Sequence, residues 1–142
     1  MRVVRNLVTI AAFVLASCMG GAVYADGAVW PVKDDDGCLV LGANLQFAVQ
    51  AVVEGKRTLQ DVVAFHNGKI DECFASEANC IFINKDDGKA FVDAAIPRLV
   101  AAVKAGKMTV NDVAVVVVMQ CRPASRGTLP DGIKPTGPQI SS

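Results

Sequence analysis

The sequence predicts an all-α domain: two duplicated antiparallel helix hairpins packed as a small four-helix bundle and stapled by two disulfides. Three observations predict it. The chain repeats itself at a spacing of 51 residues, an apolar seam of helical period persists through both copies, and cysteines bracket the repeated units.

The duplication sets the architecture. Residues 35–64 lie over residues 86–115 without a gap, with 12 identities in 30 positions. The shared strings are Asp-Asp-Gly at the start and Gly-Lys-x-Thr-x-x-Asp-Val near the end. Leu41, Leu45, Ala48 and Val52 follow one another at spacings of four, three and four, the face of a helix. Their counterparts Val92, Ile96, Leu99 and Val103 keep that seam in register. Gly55 and Gly106 can adopt the left-handed conformation that ends a helix. Three residues later, Thr58 and Thr109 are placed to cap a second helix, with Asp61 and Asp112 as the reciprocal partners of a capping box.

Beyond the caps the copies diverge. Asn67-Gly68 is a turn signal, which predicts that the second helix ends near His66. The fourth element reads Ala114-Val115-Val116-Val117-Val118-Met119, apolar on every side. Such a run also fits a buried strand; the Thr109 cap and the register with the first copy favour a helix, buried centrally or at an interface. Pro97 falls inside the third helix, which predicts a kink or a restart there.

The chain opens with Arg2 and Arg5, an apolar run from Leu7 to Ala16 and then small residues. That order predicts a secretory signal peptide over 1–25, with cleavage after Val23-Tyr24-Ala25 and a periplasmic product. A second pattern competes, because Leu15-Ala16-Ser17-Cys18 resembles a lipobox in which Cys18 is acylated and becomes the first residue. No other segment is expected to span a membrane. Residues 26–37 then form a lead-in carrying Trp30, residues 38–121 the helical domain, and the Pro-, Gly- and Ser-rich residues 122–142 a flexible tail.

Without residues 1–25 the chain has 12 basic and 14 acidic residues, a formal charge of −2, and lacks the basic stripe that nucleic-acid binding requires. Four cysteines remain, Cys38, Cys73, Cys80 and Cys121. An even count in a small exported domain predicts two disulfides, and three pairings are open. Because the ends of an antiparallel hairpin are neighbours, the duplication favours Cys38–Cys73 and Cys80–Cys121. Each would close a loop of 35 or 41 residues, worth about 3–4 kcal/mol in the chain-entropy model.

Motifs of chemistry are scarce. His66 is the single histidine, placed beside a turn, and bonded cysteines leave no thiolate to pair with it. Asp34-Asp35-Asp36-Gly37 suggests the middle of a calcium loop, but the first and twelfth ligand positions fall on Val32 and Ala43. In the second copy those positions are Ile83 and Ala94, so Asp-Asp-Gly is better read as the acidic first turn of a helix. No zinc spacing, phosphate loop or dinucleotide fingerprint is present, so no metal, cofactor or enzymatic activity is expected.

From Cys80 onward the chain has a cysteine, an amphipathic helix pair, and Cys121 close to Pro123. This arrangement resembles the second half of the periplasmic immunity proteins that neutralise type VI secretion amidases. The resemblance implies an exported, helical, disulfide-bonded protein that plugs the active site of a secreted hydrolase. Ile81-Phe82 and Met119-Gln120 depart from the prolines of that pattern, and no toxin-contacting residue carries over. The expected function is therefore a non-enzymatic protein-binding domain of immunity or inhibitor type, with Trp30 and Phe65 as the first aromatics to test as anchors. Two alternatives stand beside it: an envelope chaperone resembling the small acid-stress chaperones, suggested by the apolar Ala114–Met119 run, and an enzyme with an unrecognised site. That same run is also a candidate homodimer interface.

Overall fold

The computed structural model describes residues 22–25 and 27–126. Residues 1–21 and 26 of the expected signal peptide and lead-in, with Cys18 among them, and residues 127–142 of the expected tail lie outside the described residues. Four helices account for most of what is described: α1 (Asp35–Val53), α2 (Leu59–Ala75), α3 (Lys85–Lys104) and α4 (Val113–Arg126), the last entered through a 3-10 turn, Val110–Asp112.

Local chemistry starts and stops each helix as its residues dictate. Asp34 accepts the N–H of Gly37 at 2.8 Å, and Asn84 accepts that of Asp87 at 2.8 Å, so each long helix has a side-chain N-cap. Asp35, Asp36, Asp86 and Asp87 lie in the first turns, where the free N–H groups favour negative charge. Gly55 and Gly106 have φ of 76° and 78° and terminate α1 and α3 in the left-handed conformation. Thr58 Oγ1 accepts the Asp61 N–H, and in the second copy the Thr109 N–H donates to Asp112 Oδ2, both at 3.0 Å.

The seam forms the core. Leu41, Leu45, Ala48, Val52, Val92, Ile96 and Leu99 are buried, and Val103 packs against them. The helices do not pair as simple hairpins, however. α1 packs chiefly on α4 and α2 on α3, while α1 and α2 touch only slightly. Each copy's first helix thus lies against the other copy's second helix, the arrangement a two-fold axis between the copies produces.

The lead-ins obey the same axis. Val32 pairs with Phe82 in an isolated antiparallel bridge, with Lys33 N–H donating to the Ile81 carbonyl and Ile83 N–H to the Pro31 carbonyl, both at 2.9 Å. Val32 and Phe82 are 50 residues apart, so the bridge is one repeat position paired with itself. At that spacing Tyr24 lies over Phe74, Ala25 over Ala75 and Ala28 over Ala78. Gly27 and Glu77, also 50 apart, share the left-handed conformation at φ 76° and 58°. The repeat therefore begins upstream of the helices; two residues separate bridge from helix in both copies, and the step from a spacing of 50 to one of 51 falls in α3, which has 20 residues against 19 in α1.

This topology corrects the expected disulfides, which are Cys38–Cys121 and Cys73–Cys80 rather than Cys38–Cys73 and Cys80–Cys121. Crossed pairing brings the start of α1 to the end of α4, not to the end of α2. Cys73 instead closes the short connection that leads to Cys80. The equivalent of the first bond is polar: Lys89, 51 on from Cys38, forms an ion pair with Asp71 at 3.0 Å, beside Ile70, the position 51 before Cys121. Gly42 comes close to Ala114 and Val118 of α4, while the matching positions, Asp93 and Asn67, are joined by a 2.8 Å hydrogen bond. One helix pair is close-packed and apolar; its counterpart is held by polar side chains.

Other expectations change with the packing. α2 does not end near His66 but runs through Asn67 and Gly68 to Ala75. A helical Gly costs about 1 kcal/mol relative to Ala; burial of Ile70 one half-turn later, with contacts to Asp93 and Lys89 around it, offsets that. α3 continues as one element through Pro97 rather than restarting there. α4 is not buried all round: Val113, Val117 and Cys121 face the core, whereas Val115 and Met119 are exposed. It also takes in Arg122–Arg126, the first residues of the expected tail, and α1 takes in Asp35–Gly37 from the lead-in. α1 itself is long and apolar enough to span a membrane, which the sequence reading overlooked, yet Leu41, Leu45 and Val49 on it are core residues of this bundle.

Candidate functional site

The two-fold relation makes two grooves, and only one is filled. Between α3 and α4 lies the lead-in. Trp30 is 4% exposed and its ring centroid is 4.8 Å from that of Phe91, as is that of Tyr24. The Val23 N–H donates to Gln120 Oε1 at 2.8 Å, fixing the segment against α4. Trp30 is accordingly a core residue and not the surface anchor expected of it; a large apolar ring beside Phe91 is removed from water rather than presented to a partner.

The counterpart groove, between α1 and α2, is open. Its residues are smaller at the decisive positions: Val40 stands where α3 has Phe91, and Cys80 where the lead-in has Trp30. A cavity of about 210 Å³ results, floored by Leu41, Leu45, Ile70 and Phe82 and reached past Val40 and Lys69. A second hollow of about 180 Å³ adjoins it, lined by Ala51, Arg57, Val62 and the rings of Phe47 and Phe65.

His66 borders both hollows. It occupies the position of Val117 in the second copy, so the repeat places a polar ring where its counterpart has a buried valine. Its Nδ1 lies 3.1 Å from the Val62 carbonyl, and the ring meets Phe65 edge-on at 5.4 Å. A carbonyl can only accept, so Nδ1 is the donor in this contact. Lys69 sits over the Phe65 ring at 5.6 Å and reaches Glu72 at 3.4 Å, giving the rim a positive charge with a weak, exposed partner.

The groove is rimmed by exposed apolar side chains. Phe47 is 72% exposed and Phe65 51%, and Val40 stands nearby. The sequence reading named Phe65 and missed Phe47. The signal for Phe47 was present: its repeat counterpart is Arg98, so the register marks it as a surface position occupied by an aromatic. No group of three or more His, Cys, Asp or Glu side chains that could hold a metal ion occurs among the described residues. All four cysteines of the domain are in disulfides. The arrangement offers shape, apolar surface and one hydrogen-bonding ring, the ingredients of recognition. Comparison with protein-family models, with curated proteins and with solved structures finds no match in any of the three.

Proposed function

We propose that this is a non-enzymatic protein-binding domain of the cell envelope, of immunity or inhibitor type, which docks a protein partner on the α1/α2 groove. One observation carries the reading. The hollow between Val40 and Cys80 is open where its two-fold counterpart is filled by the chain's own Trp30, and the adjoining hollow is edged by the exposed rings of Phe47 and Phe65. A partner supplying an aromatic side chain would complete on one side what the lead-in completes on the other. Large rings buried in a pocket are the usual anchors of such interfaces.

Affinity capture of the tagged protein from envelope extract, run beside a Phe47→Ala/Phe65→Ala variant, tests the proposal. One stoichiometric partner is expected, bound about 30-fold or more weakly by the variant, as loss of some 2 kcal/mol of anchoring requires. Equal capture by both proteins would count against the groove. A second reading, a stress chaperone, draws support from the exposed Val115 and Met119 on α4. It expects many unrelated clients after acid treatment, and aggregation assays at low pH that show no protection would remove it.

A further inference from the structure

We infer that the exported chain is cut upstream of Val23, at the Leu15-Ala16-Ser17-Cys18 sequence, and is anchored to the membrane as a lipoprotein through Cys18. Val23 is 2% exposed and belongs to the core, and its N–H is held by Gln120 at 2.8 Å. Tyr24 stacks edge-on against both Trp30 and Phe91. Cleavage after Ala25 would discard both residues and uncover Trp30 and Phe91. Returning apolar side chains of that size to water destabilises the fold.

The duplication gives a second, independent reason. Val23, Tyr24 and Ala25 correspond at a spacing of 50 to Cys73, Phe74 and Ala75, the last turn of α2. Residues that belong to the repeated structural unit are domain, not leader. A cut that spares them lies upstream, and there the lipobox directly follows the apolar run Leu7–Ala16. Cys18 is also the fifth cysteine of a chain whose other four are bonded to one another. An unpaired thiol in a disulfide-forming compartment is otherwise unaccounted for in a product that keeps it.

The chemistry is a thioether transfer followed by hydrolysis. Cys18 Sγ attacks the glyceryl carbon of a phospholipid, forming the C–S bond as the C–O bond to the headgroup phosphate breaks. The thiol proton leaves and the glycerol phosphate departs as the anion. Water then cleaves the Ser17–Cys18 peptide bond, freeing the Ser17 carboxylate and the Cys18 amine. Two acyl chains suffice for stable anchoring where one does not. Four residues separate Cys18 from Val23, a reach of at most about 18 Å over the five steps, so the domain would ride directly on the membrane surface.

The test is the mass and N-terminus of the full chain, expressed with a C-terminal tag in bacterial cells and recovered from the membrane and soluble fractions. The expected product needs detergent for release, starts at Cys18 and carries the diacylglyceryl mass; Cys18→Ala leaves the chain uncut. A free N-terminus at Asp26 would overturn both the cut and the anchor, and a free N-terminus between Met19 and Val23 would overturn the anchor. Tyr24→Ala gives a separate readout, since position 24 tolerates exchange in either kind of leader. It should lower the Tm of the purified processed protein by about 5 °C. An unchanged Tm would mean that Tyr24 is not in the mature fold.

Discussion

At Gly88 an added methyl group would fall 2.8 Å from Phe82 Cγ, and at Gly68 it would meet nothing within 4 Å. Both residues are inside helices, so both gain helix propensity on substitution by Ala. Gly68→Ala is therefore expected to stabilise the domain by about 0.5–1 kcal/mol. Gly88→Ala must push the Phe82 ring out of its site and disturb the Val32–Phe82 bridge, and is expected to destabilise by about 1–3 kcal/mol in spite of the propensity. Urea unfolding of the two variants checks both signs at once; a stabilised Gly88→Ala would mean that the bridge yields at little cost. The same attention to single positions explains which site residues could be read from sequence. Phe65 is legible as a large aromatic of the kind that anchors interfaces, and Phe47 is legible through the register, where its counterpart is Arg98. Trp30 misled because a lone Trp outside the helices looks available, whereas Phe91 across the fold claims it.

The caps make their own prediction at the level of the helix. Asp112 accepts the Thr109 N–H, and this bond to the charged carboxylate holds its carboxyl below the ordinary aspartate value. Glu54 is likewise held below the ordinary glutamate value, first by the hydrogen bond from Gln50 and then by Lys56. A folded-state value below the unfolded one contributes stability that is present above the unfolded value and is lost as pH falls through the folded one. Asp112→Ala should therefore lower Tm at neutral pH and cost less at acid pH, where the wild-type carboxyl is itself protonated. Because the group is exposed, the effect is small, and melts across pH 7 to about pH 2.5 measure it by difference. A deficit that stays constant with pH would assign the loss to helix geometry and not to charge. Helix starts and stops were legible because they rest on such local bonds: Thr58, Thr109, Gly55 and Gly106 act where the sequence puts them. The end of α2 was not legible, since Asn67 and Gly68 read as a turn until Asp93 and Lys89 of another helix hold the segment straight. The exposed half of α4 was hidden for the same reason, because a run of valines does not say which of them meets α1.

Over the whole molecule the duplication was visible in sequence, but the way the copies clasp each other was not. A spacing of 51 residues says that two units match; it does not say whether each packs on itself or on its twin. The crossed pairing of α1 with α4 and α2 with α3 settles that, and the disulfides follow it. It also makes the bonds unequal. Cys38–Cys121 spans 83 residues and Cys73–Cys80 only 7, so the chain-entropy model gives about 4.5 kcal/mol for the first and about 2.4 kcal/mol for the second. Burial widens the gap, because both sulfurs of the long-range bond are in the core beside the close approach of Gly42 to α4. Replacing Cys38 and Cys121 together by Ala is thus expected to cost about 4 kcal/mol or more, loosening α4 from α1. The Cys73/Cys80 double replacement should cost about 2 kcal/mol and chiefly free the connection between α2 and α3. Paired urea titrations, each run with the other disulfide intact, rank the two. If the short-range pair proved the costlier, the Cys73–Cys80 connection that walls the α1/α2 groove, and not the α1/α4 contact, would be the element on which the fold depends.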